Sequence, residues 1–310
     1  MRLRAEAPQR RQIALGQPLV SRSALGAARI AWAAVTSPAP MVSQHLTPRA
    51  AGRGVLESSL CNAEALWHAL AAARGHCAVD EPAWLAVDAG SDVGGARVIL
   101  RRSVVDGADR TSLDRLVDSS SRPICVEDPF ASIDLRAQGL APGSLSVMRA
   151  GPLTADAIPT VDRPDILVRR VRGRRQLLEV DRIVVDGFPL ATYQPYEPGR
   201  MLPIGLLKMP HVSVFVAELL GEPAGACLTV TDEHGVGGVY WVTVLPAHRS
   251  AGIGRALMLA AMRDLVGMPM ILSATAQGEP LYRGLGFETS LVSTYWQGGG
   301  HSTGVRQDGA

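Results

Sequence analysis

The chain has 310 residues, 47% of them hydrophobic and 19% charged, enough apolar material for one large core or two smaller ones, and its length favours two domains. A formal net charge of only +2 without a long basic block argues against a nucleic-acid surface. Lys208 is the single lysine among 31 basic residues, a bias read here as coding composition rather than function.

Residues 1–45 are rich in Arg and Ala and nearly free of acid. The Arg10–Arg11 pair invites a twin-arginine or transit reading. The most apolar run, 30–35, is too short to span a bilayer, and Arg22 and Arg29 interrupt anything longer. A disordered extension is expected, with Met41 as an alternative start and no membrane contact. Cys61, Cys77, Cys125 and Cys227 lie far apart without CxxC or metal-ligand spacing, which fits a reducing, cytoplasmic setting with no disulfide and no metal.

From 55 to 150 the pattern reads as a small α+β unit. "CNAEALWHALAAARG" predicts a helix with Asn62 as N-cap, Leu66, Trp67, Leu70 and Ala73 on one face, and Gly75 as its stop. Strands are predicted at 83–88 and 97–102. A second helix is predicted to open on a capping box from Thr111 to Asp114, followed by extended pieces at "RPICVEDPF" and 144–148 around a short helix ended by Gly139. Residues 151–165, rich in Pro and turn formers, are the predicted linker.

The pattern then becomes more regular over 166–296. A strand at 166–171 leads to a helix with Leu177, Val180, Ile183 and Val184 on one face and Gly187 at its end. Three strands follow in antiparallel meander order, turning at 221–223 and 232–235. A helix opened by "AGIG", a strand at 268–276, a short helix "GEPLYRGLG" and a last strand at 288–296 complete the unit, and 297–310 is the expected disordered tail.

The chemistry-bearing stretch is "VTVLPAHRSAGIGRALM", 242–258. A strand delivered into a glycine-containing helix start leaves backbone N–H groups without helical acceptors, and the helix dipole adds positive potential there. Gly252 and Gly254 carry no Cβ, so an anion can come close, and Arg249 and Arg255 would add charge from the side. A dinucleotide fingerprint requires GxGxxG and a later acid, and a Walker loop requires GK[ST]; the glycines here satisfy neither.

That stretch, taken with "LYRGLGFE" (281–288), resembles the GNAT superfamily of acyl-CoA-dependent N-acyltransferases: an RxxGxG loop at Arg249, Gly252 and Gly254 after a strand and Pro246, then a Tyr-containing helix before Gly286 and Phe287. The resemblance covers 166–296, and the first unit looks like a degenerate half of the same kind. It implies an α+β GNAT fold, a mixed and mostly antiparallel sheet flanked by helices, preceded by a smaller α/β domain.

It also implies that acetyl-CoA is the cosubstrate, its diphosphate held by backbone from Ser250 through Ala251, Gly252 and Ile253 to Gly254, and its pantetheine paired with the strand edge at Val242 and Val244. Tyr282 would protonate the leaving thiolate, and the acceptor would be a small-molecule or peptide amine attacking directly. Two departures from the family's commonest pattern stand out. No carboxylate lies on "GVYWVTVL", and Thr275 and Gln277 stand where an Asn is common. The general base stays open, with Glu218, a water chain or a neutral amine as alternatives, and a non-catalytic acyl-CoA sensor is the rival function. Homodimer and monomer both stay open.

Other candidates weigh less. Asp232, Glu233 and His234 are consecutive at a predicted turn and read as the turn itself. His68 and His211 have no partners at ligand spacing. Glu127 and Asp128 are neighbours in an extended run and so point opposite ways. Tyr193, Tyr196 and Glu197, in the loop beside the expected coenzyme site, are candidates for touching substrate.

Overall fold

In this computed structural model residues 52–88, 96–104, 107–120, 123–188, 190 and 193–299 are described. The extension expected over 1–45 lies outside them, and so does the tail expected over 297–310 apart from 297–299, which are not disordered but continue the last strand, Glu288–Gly299, paired with Pro123, Ile124 and Cys125.

The first helix, α1, spans Gly52–Arg74. Gly75 follows at φ 76°, and the N–H groups of Gly75 and His76 close onto the carbonyls of Ala72 and Ala71 at 3.0 and 2.9 Å, as a glycine stop requires. Asn62 does not cap this helix. It sits mid-helix, fully buried, where Nδ2 donates to the carbonyls of Val230 (3.2 Å) and Val236 (2.8 Å) and Oδ1 accepts the Tyr240 hydroxyl at 2.6 Å. Its polar groups are satisfied by a hairpin about 170 residues away in sequence. Asn62→Ala would leave the Tyr240 phenol unpaired in the interior and take a donor from the Val230 and Val236 carbonyls, the latter still accepting from Asp232 N–H at 3.0 Å. A loss of about 3 kcal/mol is expected, read as a lower urea midpoint at unchanged m-value.

Strands β1 (Ala78–Asp80), β2 (Trp84–Asp88), β3 (Ala96–Leu100) and β4 (Pro123–Asp128) follow, with helix α2 (Gly107–Ser119) before β4. Thr111 lies one turn inside α2 rather than at its start, its Oγ1 donating to the Gly107 carbonyl at 3.0 Å. Strand β5 spans Leu140–Ala150. Its Pro142 and Gly143 hid its length from the sequence pattern.

In the second half come β6 (Ile166–Arg170), α3 (Arg174–Gly187), β7 (Val212–Leu219), β8 (Glu222–Thr231), β9 (Gly237–Val244), α4 (Ile253–Asp264), β10 (Met270–Ala274), α5 (Glu279–Arg283) and β11 (Glu288–Gly299). The meander β6 to β9 is antiparallel throughout.

All eleven strands join one mixed sheet, ordered β1-β2-β3-β4-β11-β5-β10-β9-β8-β7-β6. The stretches 55–150 and 166–296 therefore do not close into separate sheets. Strand β5 of the first inserts between β10 and β11 of the second, and β11 pairs with β4. On one face α4 packs through Ile253, Leu257 and Met258; on the other, α1 and α3 pack through Leu66, Leu70, Val180 and Val184. The stretch 151–165 runs against α4 and its flanks: the Leu153 carbonyl accepts from Gly267 N–H (2.9 Å), the Pro159 carbonyl from Arg263, and Arg163 donates to the Ala251 carbonyl at 2.9 Å. No helix among the described residues is long and apolar enough to cross a membrane.

Candidate functional site

Strands β9 and β10 run parallel but pair only at Gly237 with Met270 and Gly238 with Ile271. From Val239 to Val244 the edge of β9 has no strand opposite it on that side among the described residues. A bulge accompanies the parting. Ala226 faces Thr243 and Leu228 faces Tyr240, so Trp241 and Val242 share Cys227 as their partner. Trp241 adopts φ 48°, a conformation that costs a non-glycine residue on the order of 1–2 kcal/mol. The Thr243 hydroxyl donates to the Trp241 carbonyl at 2.8 Å and helps hold the bulge. As a result Tyr240 and Trp241 both pack toward α1 and α3, while Val242 and Val244 pack toward α4.

At the end of β9 a single 3-10 turn, Pro246–His248, leads to Ser250 at φ 63° and Gly252 at φ 87°, the residue before α4. Backbone N–H groups from Ser250 through Arg255 donate to no carbonyl among the described residues. The first helical bond runs from Ala256 N–H to the Gly252 carbonyl at 3.0 Å. Alternation of left- and right-handed backbone turns such amides into one concave, anion-binding nest, and no acid stands in the first turn of α4 to compete for it. Arg255 is exposed beside the nest.

Arg249 is used differently from the sequence expectation. Its Nη2 donates to the Gly187 carbonyl at 3.2 Å and its Nε to the Val244 carbonyl at 3.4 Å, so it ties the end of α3 to the end of β9. The guanidinium beside the nest that sequence reasoning missed is Arg163, whose Nη1 lies 3.5 Å from where a Cβ on Gly252 would sit. Only a local pairing with Asp165 marks it in sequence, and nothing there connects it to residue 252.

Tyr282 lies on α5 with its ring buried edge-on against Phe287 at 6.3 Å between centroids. Burial, with a smaller contribution from Cys227, pushes its phenol up to about 12. No partner for its hydroxyl is found among the described residues. Cys227 is fully buried with Sγ 3.9 Å from the Leu257 carbonyl, and desolvation raises its thiol.

Glu218 does not offer a free carboxylate, since it is paired with Arg169 across β6 and β7. Asp232 serves its turn, Oδ1 accepting from His234 and Val236 N–H groups at 2.9 and 3.0 Å. Tyr196 donates to the Leu178 carbonyl at 3.1 Å and so ties the loop to α3, and Glu197 pairs with Arg200 at 3.5 Å within the loop. Asp181 anchors that loop through the N–H groups of Gly199 and Leu202 at 2.8 and 2.7 Å. A surface hollow lined by Val55, Arg149, Ile271 and Glu288 sits at the paired ends of β9 and β10, away from the splay. Among the described residues no group of His, Cys, Asp or Glu is placed to hold a metal ion.

Residues 210–289, which contain β7 to β10, the amide nest and Tyr282, match the family model of the acetyltransferase (GNAT) domain. A GCN5-related N-acetyltransferase from Kribbella flavida is similar in structure at TM-score 0.56 and 16% identity, covering 78% of this chain and 95% of that one. A functionally unknown conserved protein from Staphylococcus epidermidis is similar at TM-score 0.52 and 13% identity, covering 71% and 93%. The search of curated proteins gave no match. The C-terminal half thus has the GNAT fold, a mixed sheet flanked by helices.

Proposed function

We propose that this chain transfers an acetyl group from acetyl-CoA to a primary amine by direct attack in a ternary complex. The amide nest at Ser250–Arg255 beside the unpaired edge of β9 carries the reading, because together they offer one anion site and one run of unsatisfied backbone in line. The chemical fit is specific: Gly252 leaves the nest open to a bulky anion, and Arg163 and Arg255 flank it. When bound, acetyl-CoA supplies an activated thioester.

The chain's own residues do the rest. The backbone of Val242 and Val244 would pair with the pantetheine amides, an N–H of that edge would donate to the acyl carbonyl oxygen, and Tyr282 would give its proton to the departing sulfur. Cys227, buried and raised, is not the nucleophile. A reducing cytoplasm suits four unpaired cysteines.

Titration with acetyl-CoA should give binding heat and a thermal upshift, and a thiol-release assay with amines should show turnover. Binding without thiol release would favour the sensor reading, to which the lack of a carboxylate on β9 lends support. Absence of binding by folded protein would remove both.

A further inference from the structure

The first half of the chain contributes a charged pair to the face of the sheet that Trp241 looks onto. Trp241, raised by the bulge, meets Trp67 of α1 edge-on at 6.3 Å between centroids. The Arg97 guanidinium stacks on Trp67, its central carbon 4.4 Å from the ring centroid. Arg97 stands beside Cys125 in the parallel β3–β4 register, and its Nη1 reaches the Cys125 Sγ at 2.7 Å and Glu127 Oε1 at 3.3 Å.

Glu127 and Asp128 divide as strand neighbours must. Asp128 turns to the opposite face and is consumed by the N–H groups of Phe130, Ser132 and Ile133, while Glu127 stays with Arg97. Tyr193, from the loop after α3, lies within electrostatic reach of the same guanidinium.

This ion pair is incomplete. A guanidinium and a carboxylate that serve only each other settle into a two-pronged contact, yet here a single Nη1 makes the approach. Nε and Nη2 of Arg97 and the second oxygen of Glu127 have no partner among the described residues. Both side chains are about a quarter exposed, at 27% and 28%, so the pair is reached by solvent rather than sealed in the interior. Stacking on Trp67 fixes the plane of the guanidinium and leaves its donor edge free, the arrangement that suits a carboxylate.

We infer that Arg97 binds a carboxylate on the acceptor, with Glu127 beside it for the ammonium, so that the acceptor is a small molecule carrying both an amine and a carboxylate. The inference rests on the acyltransferase reading only for the statement that the ligand is an acceptor. Trp67 under Arg97 and Trp241 against it are only partly buried, and their rings favour an apolar or aromatic remainder on the ligand. A role for the first half follows: it supplies the reader of the acceptor, while the second half holds the coenzyme.

The test uses the full chain and calorimetry in the presence of saturating CoA, with phenylalanine against phenethylamine and alanine against ethylamine. Wild type should bind the carboxylated member of each pair at least about 10-fold more tightly. Arg97→Gln should lose about 10- to 100-fold in affinity for phenylalanine and leave phenethylamine and CoA affinity unchanged. Arg97→Lys, which keeps the charge but not the fork, should fall between and guards against a folding artefact in the first variant. Equal binding of the paired ligands by wild type, no binding of either, or an equal loss for both in the variants would overturn the inference. Repeating the titrations without CoA separates this inference from the acyltransferase reading, which is judged by acetyl-CoA binding together with thiol release.

Discussion

Gly252→Val should weaken acetyl-CoA binding by at least about 100-fold while the protein still folds. The backbone there sits at φ 87°, which a β-branched residue adopts only at a cost on the order of 1–2 kcal/mol. Relief of that strain would rotate the peptide toward the ordinary helical region and turn the Gly252 and Ile253 amides out of the nest. Each amide to a phosphate oxygen is a charge-assisted bond of roughly 1.5–3 kcal/mol, so losing two accounts for the factor.

Gly254→Ala separates strain from approach. Gly254 lacks a positive φ, and a new Cβ would meet the flexible tip of Leu281 at 3.2 Å and Val244 Cγ2 at an ordinary 3.7 Å, so stability should hold or rise slightly with helix propensity. A large fall in coenzyme affinity in that variant would therefore report the ligand's closeness to the backbone. Isothermal titration with acetyl-CoA and urea unfolding on each variant read the two effects separately. Unchanged affinity in both variants would remove the nest from the coenzyme site.

Much of this site was legible because it is local in sequence. A strand, a Pro and a glycine-rich helix start lie within 17 residues, and alternation with short turns marked β7, β8 and β9. What was not legible depends on register and on distant packing. The bulge at Trp241 exists because β8 and β9 differ by one residue in their pairing, which a single strand's composition does not encode. Asn62 looked like a cap because its side chain seeks backbone partners, and it finds them, but in a hairpin about 170 residues away.

Strand β5 carries Pro142 and Gly143 and so read as a fragment, although as a full strand it completes the sheet between β10 and β11. Arg163 fell in a stretch read as linker, and its place on the loop depends on how that stretch lies against α4. The division of Glu127 from Asp128 was readable from strand geometry alone, whereas the partner of Glu127, 30 residues earlier, was not.

Tyr282→Phe should lower turnover by about 100-fold or more while leaving acetyl-CoA affinity and stability nearly unchanged. The hydroxyl has no partner among the described residues, so its removal breaks no fold contact, and the ring's packing on Phe287 is kept. The proton argument has a definite sign. A phenol held up at about 12 is protonated across the working range, which an acid requires, and its titration gives no falling limb to the rate below pH about 11.

Donation to a thiolate of ordinary pKa about 8.5 would be uphill. The apolar surroundings that raise the phenol raise a thiolate placed beside it in the same direction, and this narrows the gap. The variant should therefore show its defect as a flat reduction in kcat from pH 6 to pH 10, with KM for acetyl-CoA unmoved. It should also shrink when the leaving thiol is made more acidic, as with a thiophenyl ester that needs no proton to depart. Wild-type turnover by the Phe variant in single-turnover measurements would take the acid role from Tyr282 and leave the departing sulfur to be protonated by solvent at the open edge of β9.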